Sequence, residues 1–443
     1  MKTPFYTALI VVLSLLGCSQ GEPERPPGRV LLIGIDGASP RVVEPMMAEG
    51  RLPALASLAK DGVYGPLRSV LPLYSPRIWN TIATGRKPND HGVISFVKPD
   101  PDNKNKKNPK RDRELYLSTD RKTPALWNII AEAGMSVAVV NWWTTYPPEK
   151  INGVMVSDHF FPEQIAGIKN TFNDNRASSG ALIHPVSWTP TAQEVLEEQE
   201  ALTTIPNPFS HNPDLPHWVN KDLLEGQYKS DQQITRLALE IQKEFRPDVM
   251  MVFMPGIDRA SHWLWGNLEP ASAYPKSLRP STEERQAGRA ALEEYYEFTD
   301  QLIGLLAQDY GPDDLILVIS DHGFQAHVSM MLLTGGHEDH RALDGILFAR
   351  GEGIDQGEPA GPVSVFNLAP SVLAWLGLPF ANDMVMGPAP FVGVSQPTRI
   401  ASYDDMVIEH LETGASGNEE EIVEHLRALG YLEDSEPAAA TEQ

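Results

Sequence analysis

Cysteine is almost missing from this chain: Cys18 stands alone among 443 residues. One thiol cannot close an internal disulfide, and no Cys-rich zinc module can be assembled. Positive charge is also short. Lys and Arg number 36 against 59 Asp and Glu, and the resulting net charge of −23 repels phosphate backbones over most of the surface, which excludes nucleic acid as a structural partner. A small anion is a different matter, because a bound cation can reverse the field locally. Beyond the N-terminus no apolar run approaches the roughly 20 residues that span a bilayer. The phosphate-cradling G-x-x-x-x-G-K-[ST] loop and the G-x-G-x-x-G fingerprint are both absent, which removes nucleotide kinases and dehydrogenases. No internal repeat is present. What remains is 42% hydrophobic and 21% charged, enough for a large core and incompatible with wholesale disorder. The length fits three domains or one large α/β domain with insertions.

The N-terminus, MKTPFYTALIVVLSLLGCSQ, has a single Lys, an apolar stretch from Phe5 to Leu16, and Leu15-Leu16-Gly17 directly before Cys18. It resembles a bacterial lipoprotein signal, cut before Cys18 so that the new terminal cysteine is acylated. The run is too short for a retained span, which favours cleavage over an anchor helix. Residues 1–17 are therefore expected to be a signal peptide. Residues 18–28, rich in Pro, Glu and Gly, are expected to be a flexible linker. The expected product is a soluble domain held to a lipid bilayer through Cys18, facing the periplasm; Ser19 in place of Asp favours the outer membrane.

The folded part begins at residue 29. VLLIGIDG after Arg29, VAVVNWW after Ser136, VMMVFMPG after Asp248 and LILVISDHG after Asp314 are continuous apolar runs of strand length, as expected for strands buried on both faces of a parallel sheet. Amphipathic stretches from Thr123 to Ala133, Asp231 to Phe245 and Gln286 to Gln308 read as helices between them. This alternation predicts an α/β fold, a three-layer, doubly wound, mostly parallel sheet. Ligands in such folds lie beyond the carboxyl ends of the strands, where Asp36, Asp258 and Asp321 fall. One main domain is expected over 29–400. About 160–229, where Pro, Asn, Ser and His break the pattern around Trp188 and Trp218, reads as an inserted cap. Residues 401–443 read as a C-terminal helix and acidic tail. Lys104 to Arg113 holds six basic residues in ten, a solvated loop or a clamp for a substrate phosphate.

Four stretches carry chemistry. Asp36 ends its strand, where an Asp is often only a turn residue. In LPLYSPRIWNTIATGRKPNDHG, from Leu71, Ser75 and Pro76 have the form of a helix N-cap with proline at the first helical position. A serine there is placed to attack phosphorus, with backbone amides and the helix dipole holding the oxygens, once its hydroxyl is activated. In PGIDRASHWLWG, Asp258 and His262 are four residues apart on one helix face and can grip one metal ion. In SDHGF, Asp321 and His322 are adjacent and can share a metal only from an irregular turn. TGGHEDH follows, with His337 and His340 as alternative ligands. Each piece alone has an ordinary structural explanation; accidental placement explains the set poorly.

The order IGIDG, LYSPRIWNTIATGRKPNDHG, GIDRASH, SDHG and GGH resembles the alkaline phosphatase superfamily, in its type I phosphodiesterase and nucleotide pyrophosphatase branch. The resemblance runs from Arg29 to about Val394, with the stretches from Asp344 and Phe366 resembling that branch's last strand and closing helix. It implies a hydrolase of phosphate esters with two divalent cations, best suited by zinc. One would be held by Asp36, Ser75, Asp321 and His322, the other by Asp258, His262 and His337, at a spacing of roughly 3.5–4 Å. Ser75 would form a phosphoserine that water then hydrolyses. The implied substrate is a small phosphate ester, a phosphodiester or nucleotide pyrophosphate. A phosphomonoester, or an inactive metal-bearing binding lipoprotein, is the alternative. Thr84, Gly85, Pro88, His91 and Gly92 would then shape the helix end and the turn.

The chain departs from this pattern in one place. Such pyrophosphatases usually carry an Asn soon after the His-Gly to bind a phosphoryl oxygen, whereas His91-Gly92 runs into Val93-Ile94-Ser95-Phe96. Asn80, five residues past Ser75, turns some 140° away on a helix. Arg77, a backbone amide or a group from the insertion is left to hold the oxygen. A sulfatase would need C/S-x-P-x-R, which Ser75-Pro76-Arg77 does not supply. A cofactor-independent phosphoglycerate mutase would fit the ligands, but the export signal argues against glycolysis.

Overall fold

The structure is a computed structural model. It describes residues 28–99, 114–161 and 180–428, apart from positions 199, 211, 275, 277, 278, 330, 331, 339, 358, 360, 395, 413, 415, 417 and 418. The expected signal peptide, Cys18, the basic stretch from Lys104 to Arg113, the first part of the expected insertion and the tail from Glu433 lie outside the described residues.

In chain order the elements are β1 (Val30–Ile35), α1 (Pro40–Ala48), α2 (Pro53–Asp61), β2 (Val63–Arg68), α3 (Ser75–Thr84), α4 (Pro88–His91), α5 (Leu126–Glu132), β3 (Val137–Val140), β4 (Gly153–Val156), β5 (Ile183–His184), α6 (Thr189–Glu197), α7 (Lys221–Phe245), β6 (Val249–Met254), α8 (Gly256–Leu264), α9 (Thr282–Ala307), β7 (Leu315–Ile319), β8 (Gln325–Ser329), β9 (Leu332–Gly336), β10 (Asp344–Arg350), β11 (Val363–Ser364), α10 (Leu368–Trp375), β12 (Phe380–Ala381), β13 (Arg399–Ile400) and α11 (Glu419–Ala428). Nine strands make one sheet in the order β11-β2-β10-β7-β1-β6-β3-β4-β5. The four runs read as buried strands are β1, β3, β6 and β7, which are parallel to one another and to β4. The sheet is nonetheless mixed. β10 runs antiparallel to both of its neighbours, and β5 is antiparallel to β4 at the edge.

Side chains alternate across the sheet and build two apolar layers. Leu31, Ile33 and Ile35 of β1 enter the core shared with α1, α2, α7, α8 and α9. Val30 and Leu32 enter the opposite core, with α3, α5 and α10. Two helices start earlier than their amphipathic pattern suggests, and capping explains both. Asn220 accepts the Leu223 N–H at 3.1 Å and starts α7 at Lys221. At α9, Ser281 and Glu284 bond each other's backbone N–H at 3.0 and 2.8 Å, a capping box. The described part of the 160–229 region adds β5 to the sheet edge, lays α6 on α7 and sends Trp188, Leu215 and Val219 into the core.

One glycine lets α3 come close to the sheet. A Cβ on Gly34 would fall 2.6 Å from the Trp79 ring, so the bare backbone of β1 is what lets the end of that ring, one helical turn beyond Ser75, approach the strand.

Candidate active site

Three strands end level. Ile35 pairs with Met254, and Gly34 with Ile319, so the segments after β1, β6 and β7 leave from one edge of the sheet. Asp36 follows β1, Asp258 and His262 lie one turn apart on α8, and Asp321 and His322 follow β7. The β8–β9 hairpin folds back on α8 and delivers His337. Gly37, in the left-handed region (φ 69°), makes the crossing possible: a Cβ there would meet the Phe324 ring at 2.5 Å and Asp258 at 3.0 Å.

These groups converge. Ser75 Oγ donates to Asp36 Oδ1 at 3.1 Å. His322 Nε2 lies 3.4 Å from Asp321 Oδ2, 3.5 Å from Asp36 Oδ1 and 4.0 Å from Asp258 Oδ1. Asp258 Oδ1 is 3.6 Å from His262 Nε2 and 3.8 Å from His337 Nε2. The His322 and His337 rings stack with centroids 4.0 Å apart. His340 is exposed, in the short turn His340–Ala342, while His337 is buried in the cluster.

Burial dominates the electrostatics. It lifts Asp36 to about 6, helped by the charge of Asp258, and lifts Asp321 well above the usual carboxylate range, helped by Asp36. It lowers His262 to about 4 and also lowers His322 and His337, the latter further through its imidazole neighbours. Carboxylates are thus pushed toward protonation and imidazoles toward neutrality, because neither charge is well solvated here. A divalent cation suits this donor set, stabilising the carboxylates as anions and using the imidazoles as neutral bases. The tautomer fits as well. The Gly323 carbonyl can only accept, so His322 Nδ1, 3.0 Å away, carries the proton and Nε2 presents its lone pair to the acids. His322 Nε2 and Asp321 Oδ2 are buried and have no hydrogen-bond partner among the described residues. Two triads that could hold a metal, Asp36–Asp321–His322 and Asp258–His322–His337, each bring one donor atom per residue within 4.8 Å of the others.

The remaining residues of the Ser75 segment bond to the surrounding frame. Tyr74 is the N-cap of α3 and Ser75 its first residue, so the helix starts one residue earlier than the expected N-cap at Ser75 allows. Asn80 is buried and donates to the Pro76 carbonyl at 2.8 Å and to Thr144 Oγ1 at 3.0 Å. Arg77 donates to the Leu71 carbonyl at 3.0 Å. Gly85 and Gly92 take left-handed conformations after α3 and α4. His91, lowered to about 3 by burial, bonds Thr81 Oγ1 at 3.1 Å.

Beside Ser75 an open pocket is lined by Pro76, Phe96, Tyr116, Trp143 and Arg259, with Leu426 of α11 among its apolar walls. Sequence reasoning missed this pocket. Its signal was available: Asn141, Trp142 and Trp143 follow β3 just as Asp36 follows β1, and the strand-end rule that picked the acids applies to them equally.

The nine-stranded, helix-flanked sheet with a site at its level strand ends defines the alkaline phosphatase-like α/β class. The chain belongs to the type I phosphodiesterase / nucleotide pyrophosphatase family, whose model matches residues 30–335. Among solved structures, the 2-O GAG sulfatase BT1596 shares the fold at a TM-score of 0.51 and 13% identity, over 84% of this chain and 76% of that one. Phosphonoacetate hydrolase from Sinorhizobium meliloti 1021 is 17% identical at a TM-score of 0.41, over 69% of this chain and 58% of that one, so this chain spans less than two thirds of it. Human ectonucleotide pyrophosphatase / phosphodiesterase 5 is 12% identical at a TM-score of 0.44, over 79% and 95%. No curated protein matches the sequence significantly.

Proposed function

We propose that this chain is a metal-dependent phosphohydrolase that cleaves phosphodiesters or nucleotide pyrophosphates through a phosphoserine at Ser75. The observation that carries the reading is the hydroxyl of Ser75, buried at the start of α3 and bonded to Asp36 at 3.1 Å, amid two carboxylate–imidazole groups. Asp36, Ser75, Asp321 and His322 would hold one cation, and Asp258, His262 and His337 the other; the mixed donor set suits zinc. Bound there, the cations supply charge that lowers the serine pKa and stabilises the phosphoryl and leaving oxygens.

The chain's own residues do the rest. The Asp36 bond aims Ser75 Oγ, and the start of α3 favours an anion in front of it. Ser75 Oγ bonds to phosphorus as the ester's alcohol oxygen leaves with the electron pair, and the proton lost by the serine matches the one the alcohol gains. Water then cleaves the phosphoserine, returning the hydroxyl and releasing a phosphomonoester. The pocket walled by Phe96, Tyr116 and Trp143 takes part of the ester beyond phosphorus. The lipoprotein-like N-terminus supports export, acylation at Cys18 and a place on the periplasmic side of the outer membrane, with residues 29–400 as the catalytic domain.

The test is a panel of aryl phosphodiester, phosphomonoester and sulfate-ester substrates given to the protein lacking residues 1–18, with zinc and with chelator. Metal-dependent cleavage of the diester is expected. Cleavage of the sulfate ester alone rejects the assignment, and a monoester preference moves it within the class. A mass spectrum of membrane-extracted protein with an unmodified Met1 overturns the anchor.

A further inference from the structure

Two adjacent tryptophans follow β3 and use their indole N–H groups differently. Trp142 is buried, and its Nε1 donates to the Trp79 carbonyl at 3.3 Å. Trp143 is half-buried, lines the pocket and turns Nε1 toward Asp36 Oδ2 at 3.5 Å. That reach is long beside the usual N···O distance of about 2.9–3.0 Å, so Asp36 engages the donor weakly. Ser75 Oγ addresses Oδ1 of the same carboxylate. The Ser75 hydroxyl and the indole N–H therefore address the two oxygens of one carboxylate, and the pocket that Trp143 lines is also lined by Pro76, the residue next to Ser75.

The backbone is held in an uncommon shape to place this ring. Asn141 (φ 61°) and Thr144 (φ 63°), neither a glycine, both lie in the left-handed region, a conformation that persists where surrounding contacts over-determine it and that clusters at functional sites. Asn141 Nδ2 donates to the Phe253 carbonyl of β6 at 3.1 Å, and Asn80 Nδ2 of α3 to Thr144 Oγ1 at 3.0 Å. Asp158 accepts the N–H groups of Thr144 and Thr145 at 2.8 and 3.2 Å. The turn is thus tied to α3, which carries Ser75, and to β6, which leads into Asp258. Phe96 meets the Trp143 ring edge-on at 5.6 Å, and Phe253 lies 6.1 Å away, so two aromatic rings pack against it.

We propose that Trp143 is a catalytic residue whose indole N–H donates to a non-bridging oxygen of the phosphoryl group during its transfer to Ser75. This rests on the phosphohydrolase reading above. As the Ser75 Oγ–phosphorus bond forms and the bond to the alcohol oxygen breaks, the leaving oxygen keeps the electron pair and takes a proton from solvent, while the indole proton stays on Nε1. Indole is a donor only, so it holds developing negative charge without entering the proton balance.

The test compares full-length protein in detergent with Trp143→Phe and with a form in which Trp143 is replaced by β-(3-benzothienyl)alanine, which keeps the bicyclic outline and lacks the N–H. Loss of one such donor is expected to lower kcat on an aryl phosphodiester roughly 100-fold in both, with KM little changed. Orthovanadate binding should weaken comparably, while metal content and melting temperature hold. Wild-type kcat and vanadate affinity in both overturn the proposal. So does wild-type kcat in the benzothienyl form alone, which would assign the effect to ring shape. If Trp143→Phe misfolds, the benzothienyl form decides. An unaltered protein inert on every phosphate ester fails the phosphohydrolase reading and this inference with it, whereas turnover indifferent to Trp143 leaves that reading standing.

Discussion

Charge is buried in two regions of this molecule, and they are built in opposite ways. Arg121 and Glu149 are fully buried together, and the chain itself answers both carboxylate oxygens: Oε1 meets Arg121, and Oε2 accepts from Trp127 Nε1 at 2.8 Å and Asn128 Nδ2 at 2.6 Å. At the strand ends, by contrast, carboxylates face imidazoles, and burial drives Asp36 and Asp321 toward protonation while it discharges His322 and His337. Where the chain supplies its own counter-charge, a buried ion serves the frame. Where it gathers carboxylates and imidazoles that could hold an outside cation, the same burial leaves both without a matching charge of the chain's own.

Ser75 should give the largest effect. Ser75→Ala is expected to lower kcat on an aryl phosphodiester by at least roughly 10⁴-fold while metal content and melting temperature stay nearly constant; full activity in steady-state assays removes the covalent mechanism. Glu149→Ala sharpens the contrast from the other side. It should cost about 3–5 kcal/mol in denaturant melts by leaving Arg121 buried without its carboxylate, equally with and without chelator. A loss that depended on chelator would break the comparison.

A pH series on metal-free protein separates the two kinds of burial next. Burial raises Asp36 from 3.8 to about 6, so the stability gained from its protonation is full below the unfolded value and lost as pH rises through about 6. At pH 7.5 that loss is ~3 kcal/mol. Asp36→Asn, which mimics the protonated acid, should therefore raise metal-free stability by up to that amount at pH 7.5, with the gain shrinking toward zero near pH 4. A gain independent of pH would assign it to packing. The smallest effect is expected at exposed His340: His340→Ala should change neither bound metal nor rate, whereas His337→Ala should lower both, and metal analysis of the two variants reverses the choice if the outcome is opposite.

Much of the fold was legible because four strands are unbroken apolar runs, and a run of that kind announces burial on both faces. The acids and histidines were legible because each follows such a run or its hairpin. Direction was not: the residues from Asp344 to Arg350 read the same in either sense, so the antiparallel course of β10 left no mark in the sequence. β2 was hidden by Gly65 and Pro66. The Tyr64 backbone N–H donates outward to the Gly357 carbonyl, so Pro66, two residues on, turns its missing N–H to that same side, before β11 pairs at Leu67. Trp143 escaped because attention to metal ligands passes over a residue that carries no charge. The earlier starts of α7 and α9 were encoded in their caps rather than in their apolar stripes.

The bare backbone at position 34 has an evolutionary consequence. Trp79 sits on the same helical face as Ser75, so even a methyl group at 34 would have to displace the buried ring and would press on the helix that holds Ser75 against Asp36. A library randomised at this codon and screened for turnover should return glycine alone, while neighbouring Ile33 tolerates other aliphatic residues. Selection would then act most strictly on a residue that never meets the substrate.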